Sequence, residues 1–191
     1  MTHPNTEVDL AELHQAILAD IRAAFPQFKT VAFYREETDR KPFPPADLPA
    51  CLLELDVLEP QPDEDPQTEQ LPVLAQFEAR LVVGFRTPDA KMAIRLLAAQ
   101  FATWLRRRRW NHPRAITPKL PTGAAQVTAC MADHFSPSLD QFEVWRVEWS
   151  QFLTLGATVW TNEGTIPTEL WLGWAPAVGA EHEADYVKAQ Q

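Results

Sequence analysis

Val73-Leu74-Ala75-Gln76-Phe77-Glu78-Ala79-Arg80-Leu81-Val82-Val83-Gly84-Phe85 is the cleanest period-two run in the chain. Val73, Ala75, Phe77, Ala79, Leu81, Val83 and Phe85 fall on one face, with Gln76, Glu78, Arg80 and Arg86 on the other. Successive side chains of a strand point to opposite faces, so the pattern predicts a long strand with one buried side and one wet side. Upstream, Ala50 to Leu58 alternates in the same way, with Cys51, Leu53, Leu55 and Val57 opposed to Glu54 and Asp56. Between the two runs, Glu59 to Gln70 holds three prolines around Asp63, Glu64 and Asp65 and has nothing to bury. The whole reads as a β-hairpin with an extended acidic tip. The Asp-Glu-Asp core lacks the glycine and distal glutamate of a calcium loop, so no metal is expected there.

Working outward, Leu10, Leu13, Ile17 and Ile21 recur at helical spacing. The expected helix is capped by Thr6 and stopped by Pro26. Thr30 to Tyr34 is a short β-branched and aromatic strand, followed by an irregular stretch with Pro42, Pro44, Pro45 and Pro49. Beyond the central run, Thr87-Pro88 predicts a helix start, and an apolar stripe carries that helix from Asp89 to Arg109. It would close on Arg106, Arg107, Arg108 and Arg109, residues that suit a helix C-terminus and serve as either a solvated end, a subunit contact or a nucleic-acid contact. Strands are expected over Ala124–Met131 and Leu139–Leu155. In the second, Trp145, Val147 and Trp149 share a face, while Phe142 and Val144 give the other face apolar character and Arg146, Glu148 and Ser150 continue it. The last 35 residues have no long period but contain Trp160, Trp171 and Trp174, which must dock on the chain's own core or on a neighbour.

These elements predict an α+β fold: a mixed, mainly antiparallel sheet with a long-tipped hairpin and two main helices over residues 1–156, then an irregular extension over 157–191. The 191 residues suffice for one ordinary core, and 17 prolines against 6 glycines indicate stiffened connections. Charge is uneven: residues 1–70 carry a net −10, residues 71–122 a net +8 and residues 123–191 a net −7, which together give −9. That alternation either averages out within the fold or supplies unlike faces that attract around a closed ring. The overall acidity disfavours wholesale wrapping of nucleic acid. Cys51 and Cys130 have no metal-ligand spacing and read as two buried thiols rather than a disulfide. There is no basic apolar leader, and no stretch nears about 18 uninterrupted apolar residues, so assembly in the cytoplasm without a membrane is expected.

The sequence holds no Gly-x-Ser-x-Gly elbow, no phosphate-cradling glycine loop and no His-Glu-x-x-His. His182-Glu183 with Asp185 is the nearest approach to a metal cluster, but it lies too close to the end to be held rigidly. Glu54 with Asp56 is more simply a strand's wet face than a catalytic pair. No catalytic residue, cofactor or metal is expected, and the chain reads as a structural protein, not an enzyme.

Three stretches carry a resemblance. They are the helix stripe leading into Val31-Ala32-Phe33-Tyr34; Asp47-Leu48-Pro49-Ala50-Cys51-Leu52-Leu53 with its acidic loop and Gln76-Phe77-Glu78-Ala79-Arg80-Leu81; and Glu143-Val144-Trp145-Arg146-Val147-Glu148-Trp149. In order and pattern, over roughly residues 8–156, the chain resembles the tail terminator, or tail completion, proteins of long-tailed bacteriophages. The resemblance implies an α/β subunit of a ring, hexameric in that family, at the head-proximal end of the virion tail. Such a ring stops tail-tube polymerisation and offers the head–tail joining surface. The implied partners are further copies of the chain, the tail tube protein and a head–tail connector protein, with DNA passing through the lumen unbound. On that view Asp63, Glu64 and Asp65 or the strand carboxylates face the lumen or the tube, and Arg106–Arg109 face an acidic surface of a neighbour. The rival expectations are a head–tail connector subunit, the cap of a tail-like injection device, an acidic DNA-mimic inhibitor and a small hydrolase.

Overall fold

The computed structural model describes residues 7–34, 44–65, 67–111, 119–133, 142–159 and 171–188. The chain divides into two compact units, one spanning Pro4–Val159 and one holding the described residues 171–188.

The first unit begins with helix α1, Leu10–Ala24, which buries Leu13, Ala16, Ile17 and Ile21 at helical spacing. Its cap is Asp9 rather than Thr6, which lies outside the described residues. The Asp9 carboxylate accepts from the backbone N–H of Ala11 at 2.7 Å and of Glu12 at 3.3 Å. The helix starts three residues later than a Thr6 cap would require, and Asp9 fills the same role of satisfying exposed N–H groups. Asp9→Ala is expected to cost about 1 kcal/mol in chemical denaturation, with Asp9→Asn close to wild type.

Strand β1, Thr30–Phe33, pairs in parallel with β2, Ala50–Pro60. Strand β3, Leu71–Gly84, lies antiparallel to β2 and, along its full length, antiparallel to β5, Phe142–Leu155. Strand β4, Gln126–Ala132, pairs antiparallel with β5 at the edge. The order β1-β2-β3-β5-β4 makes β3, which holds the period-two run from Val73, the middle strand. With α1 and helix α2, Ala90–Leu105, this is the expected α+β fold with a mixed, mainly antiparallel sheet. One face of the sheet meets the helices: Leu53, Phe77, Leu81, Val147 and Trp149 join Ile17, Ile21, Ile94, Phe101 and Leu105 in one buried core. On the other face Ala50, Val82 and Val144 form a second small cluster with Leu48, Leu52 and Phe142, so β5 is apolar on both sides here, as its sequence indicates.

Several local expectations are corrected. A bulge between Leu55 and Val57 inserts Asp56, changes the phase of β2 and leaves Val57 exposed. A second bulge, between Val127 and Ala129, does the same in β4, where Met131 is exposed. β3 ends at Gly84, so Phe85 falls in the following turn and is exposed. That turn, closed by Thr87 N–H donating to the Gly84 carbonyl at 2.9 Å, takes up Thr87 and Pro88. The helix therefore starts at Ala90, after Asp89 in the left-handed region (φ 48°) with no side-chain cap bond. α2 stops at Leu105, not Arg109. Arg107 turns to φ 62° and donates its N–H to the Ala125 carbonyl at 2.9 Å, while Ala125 N–H donates to the Arg108 carbonyl at 2.8 Å. This exchange with the segment entering β4 replaces the helical ladder, so the arginines sit on a turn. Leu139 to Gln141 of the expected last strand lie outside the described residues.

Of the two thiols, both free, Cys51 is buried and Cys130 is exposed on the edge strand, so they are not a buried pair. Burial pushes the Cys51 thiol far above its ordinary range. No helix among the described residues is long and apolar enough to cross a membrane.

The described part of the second unit holds a two-stranded antiparallel ladder, β6 (Trp171–Leu172) with β7 (Val187–Lys188), and a 3₁₀ segment over Ala180–Asp185 that is kinked at His182. Gly173 packs so closely on the Tyr186 ring that an added Cβ would lie 2.9 Å from it, and the Tyr186 hydroxyl accepts from Gly179 N–H at 2.8 Å.

Candidate functional site

The face of the sheet turned away from the helices carries a charge network that the period-two reading treats as merely wet. Glu54, Glu78 and Glu148 stand in one row across β2, β3 and β5, and Arg80 and Arg146 face each other in the next row. Like charges directly opposite each other on a sheet repel, and here the diagonals resolve them. Arg80 lies 3.0 Å from Glu54, 2.5 Å from Glu78 and 3.0 Å from Asp133. Arg146 lies 3.3 Å from Glu78 and 2.9 Å from Glu148. The contacts of Glu78 Oε1 with Arg80 and of Arg146 Nε with Glu148 are close approaches of charge without hydrogen-bond alignment. The Glu78 and Asp133 side chains are 6% and 1% exposed, so these are desolvated ion pairs and not surface ones.

Burial raises the Glu78 carboxyl above its ordinary range, against the pull of Arg80 and Arg146. For Arg80, burial works to lower the pKa but is outweighed by Glu78, Glu54 and Asp133, and the guanidinium is held more firmly charged. Four carboxylates surround two arginines, a net acidic face whose cations are already engaged. Sequence reasoning set Glu54, Glu78 and Arg80, and likewise Arg146 and Glu148, on the faces of their strands away from the core, but did not pair them, and it missed Asp133. The alternation of Arg146 and Glu148 with Val147 and Trp149 is what marked their side of β5.

The two ends of β3 differ. At the hairpin tip, Asp63, Glu64 and Asp65 are exposed as expected, on a 3₁₀ turn over Pro62–Glu64. Asp65 accepts from Gln67 N–H at 2.8 Å, and Val159 N–H donates to the Thr68 carbonyl at 3.1 Å, tying the tip to the end of β5. Leu58 and Leu71 are exposed on the same arm. At the opposite end, Phe85, Met92 and Leu96 are exposed beside Arg86 and Lys91.

The four arginines are not equivalent. Arg106, Arg107 and Arg109 are exposed, whereas Arg108 turns back, its guanidinium 4.2 Å from the centre of the Trp104 ring and 3.8 Å from the buried Asp20. Asp20 also accepts from the Asn111 side chain at 2.7 Å. Arg108 is thus part of the structure that holds the turn, and three arginines remain for contact. Trp171 and Trp174 are exposed in the second unit, and Trp160 lies outside the described residues. His182 meets Asp185 at 3.2 Å in an exposed pair. Among the described residues, no group of three or more His, Cys, Asp or Glu is placed to hold a metal ion.

No protein-family model matches this chain, and no curated protein matches it.

Proposed function

We propose that this chain is one subunit of a ring, six-membered by the resemblance, that ends the tail tube of a long-tailed bacteriophage and offers the surface joined by the head. It works by shape and contact, with no bond made or broken, in the virion after assembly in the host cytoplasm. The observation that carries the reading is the acidic open face of the sheet. Glu54, Glu78, Asp133 and Glu148 outnumber Arg80 and Arg146, and both arginines are engaged by those carboxylates. A lumen that passes DNA must not hold phosphates. A face of fixed, net negative charge does this, whereas unengaged arginines would release counterions and bind. Glu54 and Glu148, the accessible carboxylates, then line the lumen while Glu78 and Asp133 hold the arginines from within, and the exposed Arg106, Arg107 and Arg109 meet an acidic surface of a neighbour or of the tube protein. The head–tail connector protein is the partner on the other side.

The test is electron microscopy of particles made without this gene. The expected result is tubes of uncontrolled length beside unattached heads, with both defects repaired by supplying the protein. Tails of normal length joined to heads would overturn the proposal.

A further inference from the structure

We infer that copies of this chain associate head to tail, the hairpin tip of one docking on the turn between β3 and α2 of the next. Both surfaces belong to one strand. At about 3.3 Å per residue, the 14 residues of β3 set its ends about 45 Å apart. One end carries Asp63, Glu64 and Asp65 beside the exposed Leu58 and Leu71, and residues 57–71 contain no lysine or arginine. The other end carries Arg86, Lys91 and Arg95 against Asp89 in the same run and Glu143, which pairs with Val83 from β5. Phe85 and Leu96 there are each 56% exposed, and Met92 stands one helical turn from Leu96 on the same side of α2. Each end thus carries exposed apolar side chains among charges, and the charges at the two ends have opposite sign. Opposite charges steer two copies into one register and repel tip from tip, which disfavours a two-fold pairing of like surfaces. Made once per pair of copies, a contact between unlike surfaces is heterologous and generates a ring when its rotation closes; made twice across a two-fold axis it would stop at a dimer, which sedimentation distinguishes. The exposed arginine turn after α2 is also basic, but its large aromatic, Trp104, is half-buried under Arg108, so it lacks the apolar half of the match. That the assembly is a ring rests on the tail terminator reading; the contact itself rests on the two ends of β3.

The experiment uses the full-length chain and three variant sets, followed by sedimentation velocity from micromolar to millimolar concentration. One reverses the tip (Asp63→Lys, Glu64→Lys, Asp65→Lys) and one reverses the turn (Arg86→Glu, Lys91→Glu). The wild-type chain is expected to assemble, and each reversal alone to raise the concentration needed by at least about tenfold, since like charges now meet across the contact. Mixing the two reversed chains is expected to restore assembly, because each then presents the partner's complement. This also shows that neither variant is unfolded. Leu96→Glu is expected to prevent assembly in every mixture. Reversals that leave assembly unchanged, a mixture that stays dissociated, or a wild-type chain monomeric throughout would each overturn the contact. Tubes that stay uncapped when supplied with intact head-to-tail rings would instead remove the terminator reading and leave the contact standing.

Discussion

Gln151→Leu is expected to lower folding stability by about 3 kcal/mol, although leucine is nearly the same size and the site is buried. The glutamine amide joins the segment after α2 to the sheet. Its Oε1 accepts from Trp110 Nε1 at 2.7 Å, and its Nε2 donates to the Thr122 hydroxyl at 3.0 Å and to the Gly123 carbonyl at 2.6 Å. Leucine would leave the buried Trp110 N–H and two acceptors without this partner. Each orphaned buried polar group costs about 1–3 kcal/mol, offset in part by the amide that no longer needs desolvating. In a chain of this size the loss corresponds to a melting temperature lower by about 6–12 °C. Trp110→Phe removes the donor but keeps an aromatic ring in the core, and is expected to cost less than Gln151→Leu. Amide exchange should quicken first at Arg107 and Ala125, whose backbone bonds pin the same segment. A Gln151→Leu chain as stable as wild type would mean that apolar packing alone holds the segment.

Gln151 shows what the sequence makes legible and what it hides. The alternation of Val73 to Val83 is visible because every second side chain meets the same core, and β5 carries the same parity through Val147 and Trp149 to position 151. A glutamine at the next core-facing position marks a buried amide with partners to find, yet nothing local says that Trp110, Thr122 and Gly123 supply them. Trp110 follows the arginine run after the helical period has lapsed, so no pattern places it in the core, where it is fully buried between Trp104 and Trp149. The helix ends escaped for a related reason. Thr87-Pro88 and the arginine run are sound local signals, but a turn closed on Gly84 and a backbone exchange with Ala125 displaced both boundaries. The bulges at Asp56 and Thr128 are invisible to periodicity, because one extra residue exchanges the faces of everything beyond it. The acidic tip was legible because it depends on composition alone. The charge network was half legible, since its rows exist only once β2, β3 and β5 are in register.

That network gives the other large expectation. Arg80→Met should cost about 3 kcal/mol or more at neutral pH, because Arg80 is the group that Glu54, Glu78 and Asp133 all approach. Removing it leaves Glu78 with Arg146 alone and takes from the nearly inaccessible Asp133 its arginine, whereas methionine retains most of the packing of the stem. The size of the loss should depend on pH in a definite direction. Burial already raises the folded-state pKa of Glu78 above its unfolded value, so its protonated form is favoured by folding. The resulting stabilisation is fully present below the unfolded pKa and is lost as pH rises through the folded one. Without Arg80 the folded pKa climbs further, and the variant's deficit should shrink as pH falls from neutral into the carboxylate range. Glu78→Gln in the Arg80→Met background should recover part of the stability at neutral pH and flatten the pH dependence. Denaturant titrations of the wild type, the single variant and the double variant at several pH values measure all three. A deficit that is equal at every pH and unrelieved by Glu78→Gln would mean that the charge of Arg80 does not stabilise the fold through these carboxylates.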